Sequence, residues 1–391
     1  MKTKLTAVIT TALITSLLLF SFTGCASVSD SPSDSGASPS QSITGTSPSG
    51  DSPSDNPSAP AKGTPEKTNF TVGTLNSTAH LLAFVADGEN FFKEEGLTVT
   101  VSPFASSGEL VAGLEAGSLD VAFIGSVPTV TNQAAGHDIT IFGGAMTNGH
   151  GYVIKTDLVP AGFAQGDITV LKGKNVASVK NSIQDFELLV LLRDNGLEIG
   201  EGEDKVNVVY FGSQADAYNA LAGAEIDAAS VYSPYASVAV AAGHTVVYYC
   251  NEVEAFHDQP CCRQVALTSA LAQYPNSYIA FERALIKAYK LVQQDRQKTI
   301  DHVEKYIKIE KSQIEYEVYG GHAQSVPDPD KKATVTLKNG VVEFGYTDGK
   351  DYDIEPLYNT ELYKTALEQL IAEYPDESVY KDLKTHFDTA N

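Results

Sequence analysis

Apolar and polar positions follow a plan that this chain uses twice. Over residues 107–128, Leu110, Val111 and Leu114 fall at helical spacing and Gly117 is placed to end the helix. Residues 121–124 are then a short unbroken apolar run, followed by Ser126 and Pro128. Such a run suits a strand buried on both faces of a parallel sheet, and the Ser and Pro supply a cap and a first-turn residue for a new helix. Over residues 213–234 the plan returns: Leu114, Leu119, Asp120, Ala122, Ile124 and Ser126 match Leu221, Ile226, Asp227, Ala229, Val231 and Ser233 at a constant offset of 107 residues. Residues 71–80 and 176–185 repeat at an offset of 105, pairing Asn76-Ser77 with Asn181-Ser182 where a strand runs into a helix. Two similar offsets predict two lobes of one design, each with its strand ends and helix starts on one sheet edge. That edge is where open α/β sheets bind ligands.

The patterning also predicts helices over 81–95 and 127–135, strands over 97–101 and 138–142, and a strand at 149–155 that leaves the first lobe. The second lobe reads as helix 185–195, strand 206–211, the repeated unit and strand 245–249, with a returning strand at 264–268. Alternation of this kind is the parallel α/β pattern, and two crossings predict a two-strand hinge on which lobes close. Residues 276–294 and 361–374 are amphipathic helices. At 334–344, alternation around Asn339-Gly340 fits a hairpin, and a helix fits as well. The expected fold is therefore α/β, two doubly wound lobes joined by a two-strand hinge, with C-terminal helices. Its expected divisions are 1–24, 25–68, lobe 1 at 69–153, lobe 2 at 154–263, and lobe 1 again with the C-terminal helices at 264–391.

The first two divisions are not globular material. Lys2 and Lys4 precede an uncharged stretch over 5–22 that ends in small residues before Cys25, the pattern of a cleaved targeting segment. It resembles a bacterial lipoprotein signal, which implies that Cys25 is lipidated and anchors the chain to a membrane on the extracytoplasmic side. Residues 26–68 hold 13 Ser and 7 Pro in 43 positions, too polar to fold, and as a flexible tether they would reach roughly 35–40 Å. The net charge of −22, with only four Arg (193, 263, 283 and 296), excludes a nucleic-acid partner. No nucleophile-base pair, paired carboxylate site or phosphate loop appears, so neither an enzyme nor a bound cofactor is expected. Adjacent Cys261 and Cys262 lack the spacing of a structural zinc site, and no metal is expected. With Cys25 lipidated, three cysteines remain. A disulfide from Cys250 to Cys261 or Cys262 and three buried free thiols both fit that number.

Residues 91–101 (FFKEEGLTVTV), the unit at 107–128, residues 171–176 (LKGKNV) and residues 230–236 (SVYSPYA), in that order and spacing, resemble the nitrate, sulfonate and taurine family of solute-binding proteins of ABC importers. The thiamine-pyrimidine-precursor binders belong to the same superfamily, the periplasmic-binding-protein-like type II fold. The resemblance covers most of residues 70–300. It implies two α/β lobes that trap a small solute and hand it to a membrane permease with its ATPase. Carried over residue by residue, it implies contacts from Ser77, His80, Ser106, Ser107, Ser126, Ser182, Asp185, Ser213, Tyr232 and Ser233.

Ser at a helix start is first of all a cap; here four such starts are expected to converge on one cleft, where N–H donors and positive dipole ends favour an anion. A micromolar ligand needs about 8 kcal/mol, and a helix end supplies roughly 0.3–1 kcal/mol and at most ~2. A charge such as Arg263 or Lys180, or an aromatic wall from Phe84, Tyr152, Tyr232 or Tyr235, is therefore expected as well. His257 and Arg263, in the distinctive segment 257–263, are candidates to line the cleft. The spacing from His80 to the following Phe pair also resembles the eukaryotic thiamine-pyrimidine synthase, whose cysteine-rich motif this chain lacks. A sensory lipoprotein using the same trap is a third reading.

Overall fold

A computed structural model describes residues 60–391. The expected targeting segment, Cys25 and most of the tether lie outside the described residues. Among the described residues the strands are β1 (Asn69–Leu75), β2 (Thr98–Phe104), β3 (Val121–Gly125), β4 (Ile139–Asn148), β5 (His150–Ile154), β6 (Asn175–Val179), β7 (Asn207–Phe211), β8 (Ala228–Tyr232), β9 (Thr245–Tyr249), β10 (Pro260–Leu267) and β11 (Ala323–Ser325). They form two sheets, in the orders β11-β4-β10-β3-β1-β2 and β7-β6-β8-β5-β9.

The sequence repeat is a repeat of topology. In the first sheet β1 lies between β2 and β3, in the second β6 lies between β7 and β8, and all four pairings are parallel. Val72 faces Val121 just as Val176 faces Ala228. Every residue of β3 is buried, as are the first four of β8, so β3 reads as a continuous apolar run and β8 as one broken only by Ser230, whose hydroxyl donates to Ser178 Oγ at 2.9 Å. The fold is α/β. β4 passes into β5 through the single residue Gly149, where Asn148 and Gly149 take positive φ of 60° and 87°. The chain returns from β9 through the short turns Cys250–Glu252 and Glu254–Phe256 into β10, which lies antiparallel between β3 and β4.

Two cores hold the frame around the strand ends. Phe70, Phe92, Phe142, Tyr278 and Phe281 pack helix Pro275–Gln294 onto the first sheet, each ring of that size contributing about 1.5–3 kcal/mol. A second core crosses from one sheet to the other, joining Val127 and Val130 to Ile183, Phe186, Leu337 and Val341. Leu337 and Val341 belong to helix Lys331–Glu343, so the Asn339-Gly340 hairpin does not form. Its buried residues Thr334, Leu337, Lys338 and Val341 sit at helical spacing, and a Cβ on Gly340 would meet the Phe186 ring at 3.1 Å. That glycine serves close approach rather than a turn.

The tether also ends sooner than its composition suggests. Glu66 accepts from the backbone N–H groups of Asn276 and Ser277 at 3.2 and 3.0 Å, at the start of helix Pro275–Gln294. The backbone N–H of Lys67 donates to Ser277 Oγ at 2.8 Å, and Lys62 pairs with Glu95 at 2.7 Å. Residues 62–67 are thus docked on the first lobe.

Candidate ligand-binding cleft

The strand ends and helix starts meet between the two sheets. Ser106 caps helix Ser107–Glu115, Ser182 caps helix Ile183–Asp194 and Ser213 caps helix Gln214–Ala222, each side chain accepting a backbone N–H three residues on. Ser77 caps the short turn Thr78–His80 by accepting the Ala79 N–H, two residues on. All four line a cleft made of two chambers that share Leu75, Ser107, Pro128, Ser182, Gln184 and Tyr232. The deep chamber, about 40 Å³, adds Ser77, His80, His150, Cys261 and Cys262. The outer one, about 280 Å³, adds Ser106, Asn132, Lys180, Asn181, Ser213 and Gln214. Among the described residues no carboxylate lines either chamber, in a chain with 49 Asp and Glu residues. Three serine-capped helix starts and Lys180 face the outer chamber, and behind the lining each start carries a first-turn acid, Glu109, Asp185 or Asp216.

The two histidines are the most constrained groups in the deep chamber. His80 Nδ1 accepts the backbone N–H of Leu75 at 3.1 Å, so the neutral ring carries its proton on Nε2. His150 Nδ1 sits 3.1 Å from Glu187 Oε1. Both residues are fully buried, and among the described residues neither Nε2 atom has a partner. Burial works against charge on His150, but the Glu187 carboxylate and the Cys250 thiol beside it outweigh burial and hold the ring well above its usual pKa. The Cys261 and Cys262 sulfurs are 3.0 Å apart. Their hydrogen bond and His80 draw Cys262 well below the usual thiol range, while burial pushes Cys261 up. Cys250, Cys261 and Cys262 are all free thiols, so the Cys250 disulfide is absent.

Of the eleven residues expected to contact a ligand, seven line the cleft: Ser77, His80, Ser106, Ser107, Ser182, Ser213 and Tyr232. Four do not. Ser126 is buried at a helix start with its hydroxyl unpartnered, outside both chambers. Asp185 is enclosed beneath the cleft, accepting from Ser178 Oγ, the Asn181 N–H and the Tyr346 hydroxyl. Ser233 is occupied in joining the lobes: its carbonyl accepts from Ser77 Oγ at 2.7 Å and its hydroxyl meets that of Thr78. Arg263 points to the other side of β10, donating to the carbonyls of Cys262 and Met146 at 3.0 and 3.3 Å and to Thr334 Oγ1 at 3.4 Å. A bulge in β10 instead turns Cys261 and Cys262 toward the deep chamber.

Lys180 and Tyr232 are at the cleft as expected, whereas Phe84 is stacked under Tyr306 and Tyr152 under Tyr248 inside their lobes. His257 lies on a separate surface groove. His150, Gln184 and Gln214 line the cleft without having been singled out. The signal for His150 was its place at the head of the crossing strand, directly after Gly149.

Known proteins share this architecture. The alkanesulfonate-binding protein of Xanthomonas axonopodis, solved with MOPS bound, aligns over 75% of this chain and 98% of its own at 18% identity and a TM-score of 0.62. The periplasmic nitrate-binding protein of Synechocystis aligns over 84% and 100% at 16% identity and a TM-score of 0.66. At those identities the likeness is one of fold. A protein of Escherichia coli named for aliphatic sulfonate binding is 30% identical over 140 residues, which is 36% of this chain and 41% of that one. The match thus spans less than half of that relative. A family model describing the NMT1-like family matches residues 63–308, which include both sheets except β11 and every residue named above as lining the cleft. The chain belongs to the NMT1-like family.

Proposed function

We propose that this protein is the extracytoplasmic solute-binding subunit of an ABC importer, taking a small anion of the sulfonate or nitrate type between its lobes and delivering it to the permease. The observation that carries this reading is the cleft without carboxylates in a strongly acidic chain. Carboxylates near an anion would repel it, while N–H groups at helix starts, Lys180 and the two imidazole Nε2 positions attract it. An outer chamber of about 280 Å³ suits a small solute rather than a peptide or an oligosaccharide. The named relatives are binding proteins for sulfonates and nitrate, which agrees in ligand class. The thiamine-pyrimidine precursor is the alternative cargo. Lipidation at Cys25 would hold the protein at the outer face of the cell membrane, as the sequence pattern before it suggests.

A thermal-shift panel of alkyl and aryl sulfonates, taurine, nitrate, bicarbonate and the hydroxymethyl-pyrimidine tests the cargo. A ligand at a hundred times its dissociation constant stabilises by ~2.7 kcal/mol, a shift of several degrees. Stabilisation by a sulfonate that is lost in His80→Ala is the expected result. Stabilisation by the pyrimidine alone would replace the anion with the alternative, and a flat panel would remove both. Release of the full-length protein from membranes on Cys25→Ala tests the anchor.

A further inference from the structure

Beside the deep chamber three chain segments bring together His150 and two side chains that line neither chamber. β5 supplies His150, helix Ile183–Asp194 supplies Glu187, and the turn after β9 supplies Cys250. All three are fully buried, and a ring nitrogen, a carboxylate oxygen and the sulfur lie within 4.8 Å of one another. The Cys250 sulfur accepts the backbone N–H of His150 at 3.4 Å and the Asn148 amide at 3.6 Å, which fix its position beside the ring. Tyr248, also buried, has a hydroxyl with no partner among the described residues and stacks at 4.3 Å on Tyr152, whose own hydroxyl is 3.4 Å from Glu187 Oε2. Enclosing a carboxylate, an imidazole, a sulfur and an orphan hydroxyl together is costly unless something binds them.

We propose that His150, Glu187 and Cys250 hold a divalent metal ion of the zinc class, with the Tyr248 hydroxyl or a water at the fourth position. One nitrogen, one carboxylate oxygen and one sulfur form a donor set that zinc accepts, whereas calcium and magnesium require oxygen throughout. Bonds of about 2.0–2.3 Å in a tetrahedron place ligand atoms about 3.3–3.8 Å apart, so the three groups need move by no more than about an ångström. Binding releases the Nδ1 proton of His150 and the Cys250 thiol proton to solvent. The ion replaces the His150–Glu187 hydrogen bond and leaves Nε2–H facing the deep chamber, fixing the donor that the cleft presents. The inference shares only His150 with the anion reading; Glu187 and Cys250 line neither chamber, so the cobalt and zinc responses stand or fall without that reading.

The full chain, stripped of metal by a chelator, is titrated with Co²⁺. One equivalent should produce thiolate-to-cobalt charge-transfer absorption, and Zn²⁺ should abolish the band and raise the melting temperature. Cys250→Ser should remove both responses, while the double variant Cys261→Ser/Cys262→Ser keeps them. Glu187→Gln should weaken zinc by at least about 10–100-fold, and it decides the matter if Cys250→Ser fails to fold. A wild-type chain without the band overturns the proposal. So does a band that survives Cys250→Ser but is lost in the double variant, or zinc affinity unchanged in Glu187→Gln.

Discussion

At the same place in the two repeats, lobe 1 carries Leu82 and lobe 2 carries Glu187, each fully buried one helical turn past the serine cap. In lobe 1 the position is simply core, packed among Phe70, Val85 and Phe281. In lobe 2 the carboxylate meets His150 and the hydroxyl of Tyr152. The duplicated frame therefore fixes where a side chain sits and leaves its chemistry open. A second contrast lies in how each lobe meets the C-terminal helices. Lobe 1 uses an ionic cluster, in which buried Glu95 binds Arg283, Lys287 and Lys62, and Arg283 also binds Glu373. Lobe 2 adds to its aromatic and aliphatic packing dispersed polar contacts, among them hydrogen bonds from the Tyr346 hydroxyl to Asp185 and from the Ser237 N–H to Glu317 and an exposed Arg193–Glu343 pair, with no buried ionic cluster of that kind among the described residues.

Leu82→Glu copies lobe 2 into lobe 1 and should have the largest effect. A carboxylate there has no imidazole opposite, and an uncompensated buried charge costs about 3–5 kcal/mol. Chemical denaturation reads it, and an unchanged midpoint would mean that the two positions are equivalent after all. Arg283→Met is next, at about 3 kcal/mol, since Lys287 and Lys62 still face Glu95. The same cluster sets an acid limit. Burial raises the Glu95 pKa, but the hydrogen bonds from Arg283, Lys287 and Lys62 outweigh it and lower it from 4.5 to about 2. Its contribution is therefore complete above about pH 4.5 and is lost as the pH falls toward 2, amounting to about 2 kcal/mol. Arg283→Met should flatten that pH dependence in denaturation midpoints measured between those limits. Smallest is Tyr346→Phe, about 1 kcal/mol, the net worth of one hydrogen bond. A cost as large as that of Arg283→Met would erase the contrast between the lobes.

The repeat and the strand order were legible because both rest on local pattern: a buried parallel strand must be mostly apolar, wherever its partners come from, with polar exceptions such as Ser178 and Ser230 paired to each other. The caps at Ser77, Ser106, Ser182 and Ser213 agree with that pattern, whereas Ser126 and Ser233, expected to cap the helices after β3 and β8, make no cap: Gly125 and Pro234 hold those positions. Glu187 was not legible, since within the run 186–192 a single acid reads as the exposed face of an amphipathic helix, and only the position of His150 on another strand makes it an inward group. Arg263 misled in the opposite direction. Scarcity of arginine marked it out, but the side on which a strand residue points depends on the bulge in β10, which no pattern in the sequence announces. At 334–344 an Asn-Gly pair supplied the turn signal, while the burial of Leu337 and Val341 against the second lobe decided for a helix.

The docking of residues 62–67 fixes where load enters the molecule. Glu66 grips the start of helix Pro275–Gln294 through two backbone N–H groups, and Lys62 grips Glu95. A pull on the chain at residue 60 would enter the first sheet and its helical layer, and would reach the second sheet through β4, β10, the Ser77–Ser233 contact and the core shared by the two sheets.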